Sequence, residues 1–158
     1  MALSRVKLDF CDIENDGSCI HEELMKSIFL NLVDDDSSLY RGTSGSHWED
    51  IGFQRSDPRT DVRGAGTLGL LHLLYFAETY PKTAKCILEY SNQPSPIMKT
   101  AKSFPFAIKL FEFTTLLLKL LREGRLFSIC NRHNSVIKTL SEVYSALVIV
   151  FAQRYIGR

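Results

Sequence analysis

The sequence has no CxxC pair: its four cysteines, Cys11, Cys19, Cys86 and Cys130, stand far apart in 158 residues. With no signal-peptide pattern at the start, that spacing predicts free thiols in a reducing compartment. No asparagine stands in an N-x-Ser/Thr sequon, which agrees with a cytoplasmic setting. Surplus charge is also missing. Nineteen Lys and Arg oppose eighteen Asp and Glu, so a net +1 provides no global field toward nucleic acid or an acidic membrane surface. Long apolar runs are scarce. Phe104–Leu121 is interrupted by Lys109, Glu112 and Lys119, and Val143–Ala152 falls short of the ~20 residues a span needs, so no transmembrane segment is expected. No segment alternates with period two, and there is no Asn-Gly hairpin turn, internal repeat or low-complexity tract.

What is present is helical periodicity. The 45% hydrophobic and 23% charged content, at this length, fits one globular domain with a sizeable core. Residues 1–17 read as an N-terminal arm and 18–158 as the domain. Ile20, Leu24, Ile28 and Leu32, widened by Met25 and Phe29, recur at helical spacing, with Asp16 or Ser18 as the cap and Asp34–Asp36 as the stop. Leucines after Gly66 cover every side of a helix that Pro81 ends, which marks a central helix. A short helix follows over Lys82–Tyr90. The next is capped at Ser103 or Phe104 and carries a seam of Ala107, Leu110, Phe113/Thr114, Leu117 and Leu121, closing at Arg122 and Gly124. The last, from about Ser135 to Tyr155, carries Val136, Leu140, Val143, Leu147 and Phe151. The expected class is all-α, a single compact multi-helix domain, with Trp48, Phe53, Leu70, Leu74, Leu110, Leu117, Val143 and Leu147 in one core.

Several motifs invite chemistry. Gly64-Ala65-Gly66-Thr67-Leu68-Gly69 satisfies GxGxxG, yet a dinucleotide site needs a strand ahead of the glycines, and here an Asp-Pro turn precedes them. Glycines permitting tight turns and close helix packing are the better account. Asp12–Gly17 with Glu23 fits calcium-loop spacing, but Glu14 is longer than the usual ligand and no second hand exists to pair with it, so an acidic approach to a capped helix is preferred. Cys19-x-His21 and Cys130-x-x-His133 are spaced too loosely to argue for zinc, and no strand-to-helix nucleophile elbow occurs. No metal and no cofactor is expected.

The densest stretch is Trp48–Phe76, WEDIGFQRSDPRTDVRGAGTLGLLHLLYF. Ser46-x-x-Glu49 offers a capping box ahead of it, and Asp57-Pro58 signals a turn or helix start. Three glycines, a proline, two aspartates and Arg63 fall on one loop, which is where function usually sits. Arg63 has two readings on spacing alone: a guanidinium tied down by Asp57 or Asp61, or a cation offered outward.

This stretch resembles the ELMO domain, shared by engulfment-and-motility proteins and by a branch that activates small GTPases. Trp48, Gly52-Phe53-Gln54, Asp57-Pro58, Thr60-Asp61, Arg63-Gly64, Gly66, Leu68-Gly69-Leu70, Leu73 and Tyr75-Phe76 carry the resemblance in order, and weaker likeness covers nearly the whole chain. Arg55 and Val62 depart from the pattern, where glycine and phenylalanine would be expected. The resemblance implies a GTPase-activating protein for small GTPases of the ADP-ribosylation-factor/ARF-like family, because that branch carries arginine where Arg63 stands. Arg63 would then be the arginine supplied in trans, Gln54 a secondary catalytic candidate, and Trp48, Asp57, Pro58, Asp61, Gly64 and Gly66 the residues that shape the loop. GTP and magnesium would belong to the partner, and no nucleic acid is implied. The setting would be cytoplasmic, at organelle membranes reached peripherally through the partner. The alternative is a non-catalytic scaffold gripping a signalling partner through its helical surface.

Overall fold

A computed structural model describes residues 18–33, 37–95 and 102–156. The arm at 1–17, with Cys11, the acidic loop and the Asp16 cap, lies outside them, as do Asp34–Asp36 and the side chains of Ser18, Cys19 and Ile20. Among the described residues there are seven α-helices: α1 (Ser18–Leu32), α2 (His47–Asp50), α3 (Gly66–Thr79), α4 (Pro81–Asn92), α5 (Phe106–Arg122), α6 (Phe127–His133) and α7 (Val136–Tyr155). Two 3₁₀ turns, Ser37–Leu39 and Pro58–Thr60, accompany them, and the sole pairing of extended residues among those described is an isolated bridge between Pro94 and Lys102. The chain is an all-α single domain.

α3 is the axis. It packs against α1, α4, α5 and α7, as a broad apolar surface requires, but one side stays open, where Leu71 is 46% exposed. Leu70, Leu73, Leu74, Phe76 and Ala77 are buried along it, and His72 is buried with them. Trp48, Phe53, Leu70, Leu74, Leu110 and Leu117 share one core, with Val143 and Leu147 half-buried against it. Leu74→Ala should therefore cost ~2–5 kcal/mol in denaturant unfolding; a loss under about 1 kcal/mol would mean that α3 is not central.

Three local expectations need correction. The α5 cap is Pro105 rather than Ser103 or Phe104, and no side chain caps it. The backbone just after α2 does that work instead: the Ala107 N–H donates to the Ile51 carbonyl at 3.2 Å. The α7 stripe is rotated from the one its large residues suggested. Leu140, Tyr144 and Val148 are buried with Thr139, Ser141 and Ser145, while Val136 is exposed. The hydroxyls of Ser141 and Ser145 donate to carbonyls one turn back, at 3.0 and 2.9 Å, so these small polar residues can face the interior satisfied. Finally, α6 was not foreseen. It is a seven-residue helix with Cys130 turned inward, closed by Asn134 in the left-handed region at φ 48, a stop that asparagine tolerates.

By length and composition α7 is apolar enough to cross a bilayer, unlike the shorter run 143–152 that was read from the sequence. In the fold it packs against α3, α5 and α6 and places Leu140, Tyr144 and Val148 in the common core.

Where α3, α5 and α7 meet, His72 Nδ1 lies 3.1 Å from Thr114 Oγ1 and the ring stacks on Tyr144 at 4.7 Å. Burial lowers the His72 pKa to about 4. The unfolded chain takes up a proton near pH 6.5 while the folded chain does not, so this contribution is full above pH 6.5. It should decline as pH falls toward 4 and reach about 3 kcal/mol of lost stability there. Urea unfolding across pH 7 to 4 measures this. His72→Gln, which does not titrate, should flatten that part of the slope.

Candidate functional site

The loop between α2 and α3 is built from its buried end outward. The four-residue α2 starts without the capping box: Ser46 makes no side-chain cap and is itself helical. A single turn is closed by backbone bonds instead, Trp48 N–H to Gly45 O and Glu49 N–H to Ser46 O. The side chains that hold this end are aromatic. Trp48 is fully buried, its Nε1 donates to the Gly42 carbonyl at 3.1 Å, and its ring meets Phe29 and Phe53 edge-on at 5.8 and 5.5 Å. His47 Nε2 reaches the same carbonyl at 3.1 Å. Phe53 in turn meets Phe111 of α5.

At Gly52 the backbone turns with φ +83 and passes directly over the start of α5. A Cβ there would sit 2.1 Å from the Phe106 backbone nitrogen. This close approach lets the Ile51 carbonyl reach Ala107, so loop and helix are pinned together at backbone level.

The outer half of the loop is held by its two aspartates. Asp57 caps the Pro58–Thr60 turn by accepting from the Arg59 N–H at 3.0 Å, and its two oxygens pair with Arg59 Nε and a terminal guanidinium nitrogen, each at 2.9 Å. The Arg59 side chain hydrogen-bonded to it holds the Asp57 carboxyl below the ordinary carboxylate range. Pro58 is buried beneath. Asp61 reaches back across the loop, where its Oδ2 accepts the Gln54 N–H at 2.7 Å, while Oδ1 lies 3.4 Å from the Thr60 hydroxyl. Both aspartates are thus engaged, and neither is paired with Arg63.

Arg63 is exposed, and among the described residues it has no ion pair or hydrogen-bond partner for its side chain. Gln54 is exposed as well, tied through its backbone and not through its amide. Gly64 lies beside Thr115 of α5, and Gly66 opens α3. Gly69, the last glycine of the GxGxxG pattern, packs so close that a Cβ would meet Ala65 Cβ at 2.6 Å and Phe111 at 3.0 Å. A turn, not a strand, precedes these glycines.

Sequence reasoning missed Arg59 as the partner of Asp57, although an Asp-Pro-x turn brings the third residue's N–H to the carboxylate. It also missed His47 and Phe106, which clamp the inner end. Of the loosely spaced Cys/His residues, Cys130 is buried and His133 lies 3.5 Å from Glu142. Among the described residues no three His, Cys, Asp or Glu converge on one point.

An all-helical domain that clamps a glycine-bounded loop between α2 and α3, and leaves Arg55 and Arg63 of that loop exposed and unpaired among the described residues, is the class of protein that this fold and site define. The family model described as ELMO/CED-12 matches residues 12–157, and the chain belongs to that family. It is 35% identical over 136 residues to human ELMO domain-containing protein 3, covering 84% of this chain and 33% of that protein. Human ELMO domain-containing protein 2 is 46% identical over 74 residues, 47% of this chain and 25% of its own length. ELMO domain-containing protein B of Dictyostelium discoideum is 31% identical over 135 residues, 85% of this chain and 44% of its own. The chain therefore spans less than half the length of these relatives. No solved structure matches it.

Proposed function

We propose that this chain stimulates GTP hydrolysis by small GTPases of the ADP-ribosylation-factor/ARF-like family, offering Arg63 to the transition state. The partner holds GTP and magnesium, and this chain contributes charge and geometry with no reaction of its own. In phosphoryl transfer, charge spreads over the transferred oxygens, and a guanidinium inserted in trans stabilises it. The observation that carries the reading is the division of labour in the loop. Asp57 is taken by Arg59 and Asp61 by the Gln54 N–H, which leaves the Arg63 guanidinium exposed and without a carboxylate. An arginine used to tie the loop would have occupied one of those carboxylates. Gln54 is the secondary candidate, its backbone anchored and its amide outward. The setting this reading implies is the cytoplasmic face of organelle membranes, reached through the partner.

The test is single-turnover hydrolysis by a panel of purified, GTP-loaded ARF-like GTPases, with and without the chain. Stimulation of at least one supports the reading. Binding without stimulation on every member would favour the scaffold alternative, in which the helical surface grips a partner and the arginine does no chemistry.

A further inference from the structure

We infer that the corner formed by the end of α5, α6 and the first turn of α7 docks directly on an anionic lipid bilayer. Ile137 is 70% exposed, the most exposed large apolar residue among those described, and its neighbour Val136 is 46% exposed. A third, Phe127 at the start of α6, is 55% exposed. Isolated apolar residues on a surface need no explanation, but here three fall within eleven residues around one helical corner. Val136 and Ile137 open α7 just after the left-handed turn at Asn134 that closes α6, and the exposed Arg132 and Lys138 flank them along the chain.

Charge is segregated to the same place. Residues 119–142 hold five Lys and Arg against two Glu, a net +3, in a chain whose total is +1. The remainder is therefore net negative by two, and the near-neutral total conceals a basic end. Glu142 offsets part of it, lying 3.9 Å from Lys138 and 3.5 Å from His133. Arg122, Arg125 and Arg132 have no ion pair among the described residues. Exposed apolar side chains interspersed with exposed cations along one segment match the two layers of an anionic membrane surface, where acyl chains lie under headgroup charge. A protein partner of ordinary composition would not need that pairing. The corner is also continuous with the arginine loop. Gly64 lies against Thr115 on α5, and the same helix runs to Arg122 at its last turn, ~10 Å further along. The inference does not depend on GTP hydrolysis.

The experiment is flotation of the full chain with vesicles of phosphatidylcholine alone and of phosphatidylcholine with phosphatidylserine. We expect binding only to the latter, weakening as salt is raised. Arg132→Ala and Lys138→Ala should each reduce the partition constant about five-fold, the factor expected for one cation at an anionic surface. Ile137→Asp should reduce it more than ten-fold. All three sites are exposed, so melting temperatures should match the parent and separate lost binding from lost folding. Equal binding to both vesicle types, binding to neither, or indifference to Ile137→Asp would each overturn the inference. So would a dimer in sedimentation equilibrium that Ile137→Asp dissolves, since the corner would then belong to a second copy of the chain.

Discussion

Arg63→Lys should keep the domain folded and bound to its GTPase within a few-fold, and yet remove most of the stimulated hydrolysis. The size follows from what an arginine in trans contributes, ~10³–10⁵ in rate or about 4–7 kcal/mol of transition-state stabilisation. Lysine retains the charge but not the planar fork with its five donors, so it cannot contact two developing oxygens at once. The loss belongs to the transition state and not to the ground-state complex. It should therefore appear in the single-turnover rate at saturating chain and leave the concentration dependence nearly unchanged. Folding should be untouched, because Arg63 is exposed and makes no ion pair or side-chain hydrogen bond among the described residues, and such surface changes stay within about 0.5 kcal/mol. If the variant unfolds, Arg63 is a structural tie after all. If it stimulates hydrolysis like the parent, the catalytic group is elsewhere, and Gln54→Ala becomes the next measurement.

Gly52→Ala should be the most damaging glycine-to-alanine change among the described residues. Three backbone atoms, Phe106 N, Phe106 Cα and Pro105 C, would lie 2.1, 2.9 and 2.9 Å from the new methyl carbon. Backbone cannot rotate out of the way as a side chain does, so the loop must lift from α5. That movement breaks the bond from the Ala107 N–H to Ile51 O. A left-handed alanine costs ~1–2 kcal/mol, overpacking ~1–3 and the lost bond ~1. Together these are on the order of 4 kcal/mol, a large part of what a domain this size has. Gly42→Ala is the control. It shares the positive φ, +93, but its Cβ would meet nothing within 4 Å, so it should cost only the conformational part. Equal losses in the two variants, read by denaturant unfolding, would show that contact with α5 is not what requires glycine at 52.

Much of the loop was readable because its chemistry is local. Asp57-Pro58 starts a turn by constraints that span three residues, and Gly124 follows Arg122 because a helix end accommodates a left-handed residue there. The broad apolar surface of α3 likewise demanded several neighbours, which α1, α4, α5 and α7 supply, although Leu71 stays 46% exposed on the side they leave open. The errors came where two local signals competed. Ser46 and Glu49 had the right spacing for a capping box, but Ser46 is itself helical, and the Trp48 and Glu49 amides are taken by the backbone carbonyls of Gly45 and Ser46. On α7 the large residues marked one stripe and the buried hydroxyls another, and only neighbours could choose between them.

The sequence by itself determined the all-helical class, the central place of α3, and the crowding of glycine, proline, aspartate and arginine into one loop, because each depends on periodicity or on residues a few positions apart. Tertiary structure alone decided three further things: that Gly52 lies over Phe106, that Ile51 caps a helix fifty-odd residues onward, and that Asp57 and Asp61 are occupied by Arg59 and the Gln54 N–H and not by Arg63. The first two join segments far apart in the chain. The third is a competition among nearby donors for two carboxylates, and its outcome depends on how the clamped backbone aims each donor, which spacing does not encode.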